Sequence, residues 1–373
     1  MIRINKSIIH YLMIAMYICY TIAFALSYLY TAFSLSYEVV SKFVPAVLIV
    51  MSCLSLISMS KFTNREAIII VGIILVSGIS YYFSKDNGFL YISIFVIAAR
   101  DLDMRKIIKL IFLCTLITTL LTIICASRGM INVPIINYNY TLGFGQKNRL
   151  GALIFALAMQ WFYLRNQSVK FMERLIIVIF CSTICLSIDS FSPVLLLIGW
   201  FIVDLLLRKT NLIEKLSKYK FEYFPFVLFF LSLLLVVLFS IGNSFSQFLN
   251  ATLTGRLNLV GSYLSEYGFS LLGQNVELDV PFDNSYIRIG TVNGILPLLL
   301  ILYGYVRVIK KLIIKKEPVA LSIVITFLIQ GFVESFMSSI VYNFSLLFLV
   351  TAIYDRDLNL EQKKEILPIE DQV

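Results

Sequence analysis

The residues of this chain that could bind or activate a substrate are few, and they lie in short polar segments between apolar ones. Three of them are Arg256, Asp283 and Glu334. A guanidinium presents a planar fork of donors that matches phosphate oxygens, and a carboxylate can take a proton from a hydroxyl group. These residue types favour an anion site suited to a diphosphate, with a carboxylate base beside it. The further candidates for substrate binding are Lys147, Asn148, Arg149, Asp189, Asn284, Tyr286 and Arg288.

Each candidate also has a purely structural interpretation. A cation at the end of a membrane helix can extend into water, and this alternative applies most to Arg288. Gly255 indicates a turn that orients Arg256, which weakens the alternative at that position. Ionisable groups at membrane depth are costly and usually face a cavity or a partner. Each carboxylate could therefore form an ion pair with one of these arginines instead of acting on a substrate.

Several other chemistries are excluded by residue type or position. The single histidine, His10, lies at the start of the first apolar stretch, so a histidine base, a Ser-His-Asp triad and a histidine metal site are excluded on the opposite side. The sequences Asp101-Leu102-Asp103 and Asp355-Arg356-Asp357 fit a loose metal-binding pattern, but their basic surroundings favour solvated interfacial charge. All six cysteines lie in apolar stretches and are interpreted as small buried hydrophobic residues.

The elements that must position the candidates are membrane helices. Hydrophobic residues make up 59% of the 373 residues and charged residues only 14%, against roughly 25% charged in a typical globular protein. A water-soluble or disordered chain is therefore excluded. We predict an all-α polytopic membrane protein with about 12 transmembrane helices. The predicted spans are residues 7–33, 43–60, 66–83, 88–99, 107–126, 150–164, 175–188, 193–207, 223–242, 289–306, 318–335 and 340–354. The seventh and eighth could be two short spans or one broken span.

Basic residues are distributed unequally between the two sides of this predicted bundle. With twelve spans, 24 of the 31 Lys and Arg residues fall on the side of both termini, which the positive-inside rule makes cytoplasmic. This asymmetry accounts for the net charge of +9, so no nucleic-acid partner is needed. We predict a multi-pass protein of the cytoplasmic membrane, with one transmembrane domain over residues 1–354 and a short cytoplasmic tail over residues 355–373. The first apolar run is too long for a signal peptide and is kept as an uncleaved helix.

Two predicted extracytoplasmic loops, residues 127–149 and 243–288, are long enough to carry function. Loops of more than roughly 12–15 residues without evident structure are usually functional or disordered, and neither loop has a disordered composition. Tyrosines in these loops would offer ring faces to sugars, although interfacial tyrosine is common in membrane proteins. These tyrosines are Tyr138, Tyr140, Tyr263, Tyr267 and Tyr286.

The order of these features resembles the polymerases and ligases of bacterial surface polysaccharides, the Wzy-type O-antigen and capsule polymerase and O-antigen ligase superfamily. The resemblance covers most of the chain. It rests on about a dozen spans, the Gly-Phe-Gly-x-x-Asn stretch at 143–148 and two short Ser-rich spans. A late outer loop with Thr-Gly-Arg at 254–256 and Asp-Asn-x-Tyr at 283–286 completes it.

The resemblance implies a C-type glycosyltransferase fold and a metal-independent, inverting glycosyl transfer at the outer leaflet, with no cofactor and no nucleotide sugar. Donor and acceptor would be polyprenyl-diphosphate-linked oligosaccharides, and partners would include the lipid bilayer, a flippase and chain-length regulator proteins. Arg256 matches the family's diphosphate-binding arginine. Asp283 falls where the ligases have a histidine that activates the acceptor, and Glu334 resembles an acidic residue late in the chain. Relatives often have a Ser-Arg pair near Asp189 that is missing here, so Lys147 or Arg149 is expected to supply the second cation.

Two alternative functions stay open. A ligase of the same superfamily would share the donor site, and Asp283 in place of histidine favours the polymerase. A flippase or transporter of lipid-linked sugars is the alternative from another class. Transporters tend to show internal repeats and broken helices with charge at the midplane. The broken region around Asp189 fits that class, whereas the lack of a convincing repeat between the two halves does not.

Overall fold

The computed structural model describes most of the chain and is helical throughout the described part, with no β-strand there. The described residues are 6–29, 47, 50, 63–100, 102–131, 141–165, 169–209, 212–252, 255–277 and 282–354. Nearly all of the predicted span at 43–60 lies outside them, as do most of the polar part of the 127–149 loop and the tail after Tyr354.

Most of the described helices begin and end close to the predicted apolar stretches, and several short ones lie between those stretches. They are α1 (Lys6–Leu29), α2 (Asn64–Ser84), α3 (Gly88–Ala98), α4 (Met104–Ser127), α5 (Lys147–Arg165), α6 (Phe171–Ser187), α7 (Phe191–Lys209), α8 (Leu212–Lys218), α9 (Phe224–Ser240), α10 (Ser244–Thr252), α11 (Arg256–Tyr267), α12 (Ser285–Arg288), α13 (Ile295–Ile314), α14 (Pro318–Val333) and α15 (Val350–Tyr354).

Four of the described helices are long and apolar enough to cross a membrane: α2, α4, α7, and α9 with the short turn before it (Phe221–Ser240). These helices leave large apolar side chains exposed along their length, such as Ile68 at 73%, Leu195 at 71% and Phe230 at 61%. Water-soluble monomers rarely expose continuous apolar surface of this extent. The structure is thus consistent with a helical membrane protein.

The two short helices around Asp189 form a hairpin. Asp189 has a φ of 53° in the turn that joins α6 to α7. An ion pair between Arg174 near the start of α6 and Asp204 near the end of α7 shows that the helices run antiparallel. The region is therefore two packed helices, which answers the choice that the sequence left open.

The stretch predicted as one helix over 289–306 is interrupted at Gly294. A π-helical turn over Ile289–Asn293 follows α12, and α13 begins only after Gly294, whose φ is 107°. Residues of the predicted 243–288 loop pack on the break, since the Ile295 amide donates to the Ser270 carbonyl over 2.9 Å. An added Cβ at Gly294 would lie 2.6 Å from the Gly273 nitrogen, so this position requires glycine.

Contacts between the connecting segments divide the molecule into two ends. At the first, which we call the Arg256 end, Ser192 at the start of α7 contacts Glu334 at the end of α14. At the opposite Asp204 end, the last turn of α7 contacts the first turn of α6. Between the two ends α7 packs on α5 and α14, and Trp200 stacks on Phe162 with ring centroids 3.9 Å apart. The α7–α14 pair is thus the frame that connects both ends.

Candidate functional site

Arg256 is positioned by the turn between α10 and α11. Gly255 has a φ of 84°, and its amide donates to the Asn250 carbonyl over 2.8 Å. The Asn250 side-chain oxygen accepts from the Asn258 amide over 3.0 Å, which ties the first turn of α11 to α10. A positive φ is readily adopted by glycine. The residue before Arg256 therefore allows the chain to reverse and start a helix with the guanidinium directed at α14.

Arg256 contacts both carboxylates that the sequence singled out. Its Nε lies 3.2 Å from Asp283 Oδ2, and its Nη1 lies 3.0 Å from Glu334 Oε1. Nη1 also donates to the Val333 carbonyl. Nη2 has no hydrogen-bond partner among the described residues. We refer to Arg256, Asp283 and Glu334 as the Arg256 cluster, in which two carboxylates share one guanidinium.

Glu334 connects three helices at this end. Its Oε1 accepts a hydrogen bond from Ser192 Oγ at the start of α7 over 2.5 Å. Its backbone carbonyl accepts from the Ser285 amide over 3.1 Å and from Ser285 Oγ over 2.6 Å. The residue is only 3% exposed. Glu334 thus fixes the ends of α7 and α14 and the start of α12 relative to Arg256.

Asp283 is the more exposed carboxylate of the Arg256 cluster and lies just before α12. Burial, together with the negative charge of Glu334, raises the pKa of Asp283 to about 6, although Arg256 acts in the opposite direction. Two carboxylates close to one cation cannot both be fully neutralised by it, so the proton affinity of one rises. Asp283 is therefore largely ionised at neutral pH and still has the proton affinity of a general base.

A small cleft opens beside the Arg256 cluster. Its walls include Ser232 and Leu235 of α9, Val260 of α11 and Phe332 of α14. The cavity volume is about 20 Å³, enough for about one water molecule. No group of three His, Cys, Asp or Glu side chains in the described residues is placed to hold a metal ion.

Asn284 and Tyr286 hold the start of α12 against α9 and α14. Asn284 caps α12 by accepting from the Ile287 amide, and its side-chain nitrogen donates to Ser232 Oγ and to the Phe332 carbonyl. Tyr286 is fully buried, and its hydroxyl donates to the Leu328 carbonyl over 2.7 Å. Asn284 also lines the cleft beside the Arg256 cluster, whereas the Tyr286 side chain is enclosed in the core.

Arg288 belongs to a separate cluster. Its Nη2 lies 2.7 Å from Asp86 Oδ2, and Asn293 donates to the other oxygen of Asp86 over 3.1 Å. Burial disfavours the ionised Asp86, but Arg288, Asn293 and the Gly88 amide outweigh it, so the pKa of Asp86 falls below its ordinary value. Arg288 therefore does not extend freely into water, because its charge is paired with a carboxylate of the α2–α3 turn.

The remaining candidates lie at the same end without contacting the Arg256 cluster. Lys147, Asn148 and Arg149 form the first turn of α5 and are half-buried. An added Cβ at Gly151, one turn further on, would overlap Ser190 Oγ, so α5 packs tightly against the start of α7. Asp189 is exposed at the tip of the α6–α7 turn. No described residue forms an ion pair with any of these charged side chains.

Among the loop tyrosines that the structure describes, Tyr263 and Tyr286 are buried and Tyr267 is half-buried. Tyr263 is 6% exposed and stacks on Phe282, with ring centroids 4.6 Å apart, inside a small core between α9 and α11. Tyr267 lies next to Tyr263, and Tyr138 and Tyr140 lie outside the described residues. Tyr263 is thus a core residue in this structure and not a free face for a sugar.

Two residues at this end were missed by the sequence reasoning. Asp86 is a lone carboxylate in the Lys85-Asp86-Asn87-Gly88 turn, placed like Asp283 at a boundary of an apolar stretch, and the same argument could have selected it. Ser232 is a single polar residue in the apolar run of α9, and a lone serine there indicates a buried hydrogen bond. Its partner, Asn284, could not have been inferred from local sequence.

Comparisons with known proteins give no match: no protein-family model, no curated protein and no solved structure resembles this chain significantly.

Proposed function

We propose that this chain is a membrane glycosyltransferase that polymerises polyprenyl-diphosphate-linked oligosaccharide repeat units at the outer leaflet of the cytoplasmic membrane. The observation that carries the proposal is the Arg256 cluster, in which one arginine contacts two acids beside a cleft at one end of an apolar helical bundle. Charged side chains at one end of an apolar bundle suit a substrate that has a lipid tail, a charged diphosphate and a polar glycan.

The proposed reaction needs a cation and a base, and the cluster provides both. The anomeric carbon–oxygen bond to the diphosphate breaks, and a hydroxyl oxygen of the acceptor sugar forms the new bond. The acceptor proton passes to the Asp283 carboxylate, and the polyprenyl diphosphate leaves with the electron pair. Arg256 stabilises charge that develops on the leaving oxygens, an effect typically worth a few kcal/mol per preorganised donor. Attack opposite the leaving group inverts the anomeric centre.

Charge balance requires a second cation for the diphosphate. In the free protein Arg256 is already shared by Asp283 and Glu334, and of its nitrogens only Nη2 has no hydrogen-bond partner in the described part of the chain. We assign the second cation to the first turn of α5, at Lys147 or Arg149. The tight packing of Gly151 on the start of α7 supports this assignment, because Ser192 in the same turn of α7 contacts Glu334.

The proposed topology has twelve spans, both termini in the cytoplasm and the Arg256 end outside. It is supported by the charges at the two ends of the bundle. The Asp204 end carries Arg100, Arg165, Arg174, Arg208, Lys209 and Lys316 among its ion pairs and cation–π contacts. In that orientation the excess of basic residues faces the cytoplasm, as the positive-inside rule requires.

The proposal is tested by deleting the gene in its host and separating the lipid-linked glycans on a gel. Accumulation of single repeat units without long chains supports a polymerase. Long chains that stay on the lipid would instead indicate a ligase, and repeat units trapped on the cytoplasmic side would indicate a flippase. Either of these two results overturns the proposal.

Complementation of the deletion then tests the site residues. We expect Arg256→Ala and Asp283→Ala to leave the protein in the membrane but without long chains, while Glu266→Gln restores them. Glu266 is a suitable control because it is an exposed carboxylate on α11, the same helix as Arg256. Normal chain lengths in either alanine variant would contradict the role assigned to that residue.

A further inference from the structure

Helix α10 presents an unpartnered apolar face. Phe245 is 60% exposed and Phe248 is 66% exposed, three residues apart on one side of the helix, and Ile241 just before it is 72% exposed. The other side faces the protein, where Ser246 is fully buried and Leu249 packs against the core between α9 and α11. Two adjacent exposed phenylalanines on a short amphipathic helix indicate a surface that contacts something apolar.

The turn before α10 fixes this face relative to α9. The Gly242 amide donates to the Phe239 carbonyl and the Asn243 amide to the Leu238 carbonyl, each over 3.0 Å, which closes the end of α9. The Asn243 side chain then accepts from the Phe245 amide over 3.0 Å and so caps the start of α10. Paired caps on one short turn define the angle between two helices. The apolar face of α10 is therefore held in a set position at the end of α9.

That position coincides with the boundary of a bilayer. The apolar helix over Phe221–Ser240 has 20 residues, or about 30 Å at 1.5 Å per residue, close to the thickness of the hydrocarbon core. Tyr219 and Tyr223 are 81% and 52% exposed at its other end, where an aromatic belt is expected. If Tyr219 and Tyr223 mark one membrane interface, then α10 lies at the other.

The charge pattern supports contact with lipid rather than water. Residues 223–255 contain no Asp, Glu, Lys or Arg, so the uncharged segment continues beyond the length needed to span and includes all of α10. A helix whose outer face was in water would ordinarily carry charged residues on it. The exposed side chains are instead phenylalanines, continuous through Ile241 with the exposed apolar side chains Leu234 and Val237 of α9.

We infer that α10 is an interfacial helix that inserts Phe245 and Phe248 into the outer edge of the bilayer. Because Asn250 of α10 binds both the Gly255 and the Asn258 amides, the depth of α10 also sets the depth of Arg256. This second step rests on the proposed function, since the depth matters only if Arg256 binds a lipid-linked diphosphate. The lipid contact itself does not depend on any activity.

Fluorescence quenching in liposomes tests the contact. Phe248→Trp, the parallel Phe245→Trp and the control Glu266→Trp are each reconstituted in phosphatidylcholine vesicles with and without bromine on the upper acyl chain. The signal of the two native tryptophans, measured on the parent protein, is subtracted. We expect bromolipid to remove most of the added fluorescence at 248 and 245 and little at 266, and aqueous iodide to do the reverse.

The contact with lipid is refuted if the tryptophans at 248 and 245 respond to iodide and bromolipid as the one at 266 does. All three positions are exposed, so the substitutions leave the packed core intact. The step to Arg256 has its own readout: Phe245→Ser/Phe248→Ser should shorten or reduce polymer in cells while protein abundance is kept. Normal polymer in that variant, with quenching at 248 as expected, would refute the depth argument alone.

Discussion

The two ends of the α7–α14 pair carry clusters of opposite composition. At one end, Arg256 is shared by Asp283 and Glu334. At the other, Asp204 is shared by Arg174, whose Nη1 lies 2.6 Å from Oδ2, and Arg208, whose Nε lies 2.9 Å from the same oxygen. We call the second group the Asp204 cluster. One cluster therefore has an excess of acid and the other an excess of base.

Burial and saturation distinguish the two clusters further. Asp204 is fully buried, and both of its oxygens accept hydrogen bonds from arginine. In the Arg256 cluster, Asp283 retains some exposure beside a cleft, and Arg256 Nη2 has no hydrogen-bond partner among the described residues. A fully satisfied buried acid holds helices together, whereas a carboxylate that competes for one cation at a cleft is available for proton transfer. The ratio of acids to arginines thus distinguishes the two clusters: one acid with two arginines is structural, and two acids with one arginine form the candidate catalytic site.

The largest expected effect is on activity at the Arg256 cluster. Asp283→Asn keeps the size of the side chain but cannot take a proton, so we expect polymer formation to fall by roughly 10²–10⁴-fold, the usual contribution of a general base. The measurement is the rate of chain growth in membranes containing equal amounts of variant and wild-type protein. An unchanged rate would show that Asp283 is structural, like Asp204, and would remove the distinction between the clusters.

The next effect is on stability at the Asp204 cluster. Asp204→Asn removes the carboxylate that Arg174 and Arg208 share, and breaking a buried ion pair in this way costs roughly 3–5 kcal/mol. We expect a lower yield of folded protein and a lower unfolding temperature in detergent, in contrast to Asp283→Asn. If Asp204→Asn is as stable as wild type and instead abolishes polymer, then the Asp204 end takes part in the reaction.

The pH dependence sharpens the comparison. Burial, with the charge of Glu334, raises the pKa of Asp283 to about 6, above its value in the unfolded chain, so the folded protein binds the extra proton and gains stability as the pH falls through 6. Relative to Asp283→Asn, wild type should therefore gain roughly 1–3 kcal/mol of unfolding free energy between about pH 7.5 and about pH 4.5. Polymer formation should fall over the same interval because the base becomes protonated.

Thermal unfolding of both proteins over that pH range provides the stability measurement. Taking the difference between wild type and Asp283→Asn cancels the titration of acids that do not interact with Asp283. A difference that stays constant with pH would mean that folding does not raise the pKa of Asp283 above its ordinary value.

The helices themselves were largely predictable because apolar composition directly reports burial in lipid or protein. The positions of α2, α3 and α4 follow the apolar runs to within a few residues. The break at Gly294 was missed because the run continues through it, and its cause is the distant segment that packs there. The helices α10 and α11 were missed inside a predicted loop, although Asn243 and Gly268 are sequence signals for a helix start and a helix end.

The site was predictable in its residue types and only partly in its partners. A charge in an apolar chain is visible in the sequence, and Arg256, Asp283 and Glu334 were selected on that basis. Which charges meet depends on helix packing, so the local sequence does not show that Arg288 pairs with Asp86 and Arg256 with Asp283 and Glu334. Tyr286 shows the same limit, since its spacing from Asp283 suggests a shared surface but its position in α12 turns the ring into the core.

The smallest expected effect concerns a third ion pair, Glu214 with Lys316, which joins α8 to the turn after α13 at the Asp204 end. Its charged atoms lie 2.8 Å apart, but the side chains are 58% and 66% exposed. Exposed pairs gain little because water and salt screen them. We therefore expect Glu214→Gln to leave the unfolding temperature unchanged within error, at low and at high salt. If the unfolding temperature falls as much as in Asp204→Asn, then the cations at this end need a carboxylate partner whether that carboxylate is exposed or buried. An unchanged temperature would show instead that burial of Asp204, not the number of ion pairs, makes its cluster structural.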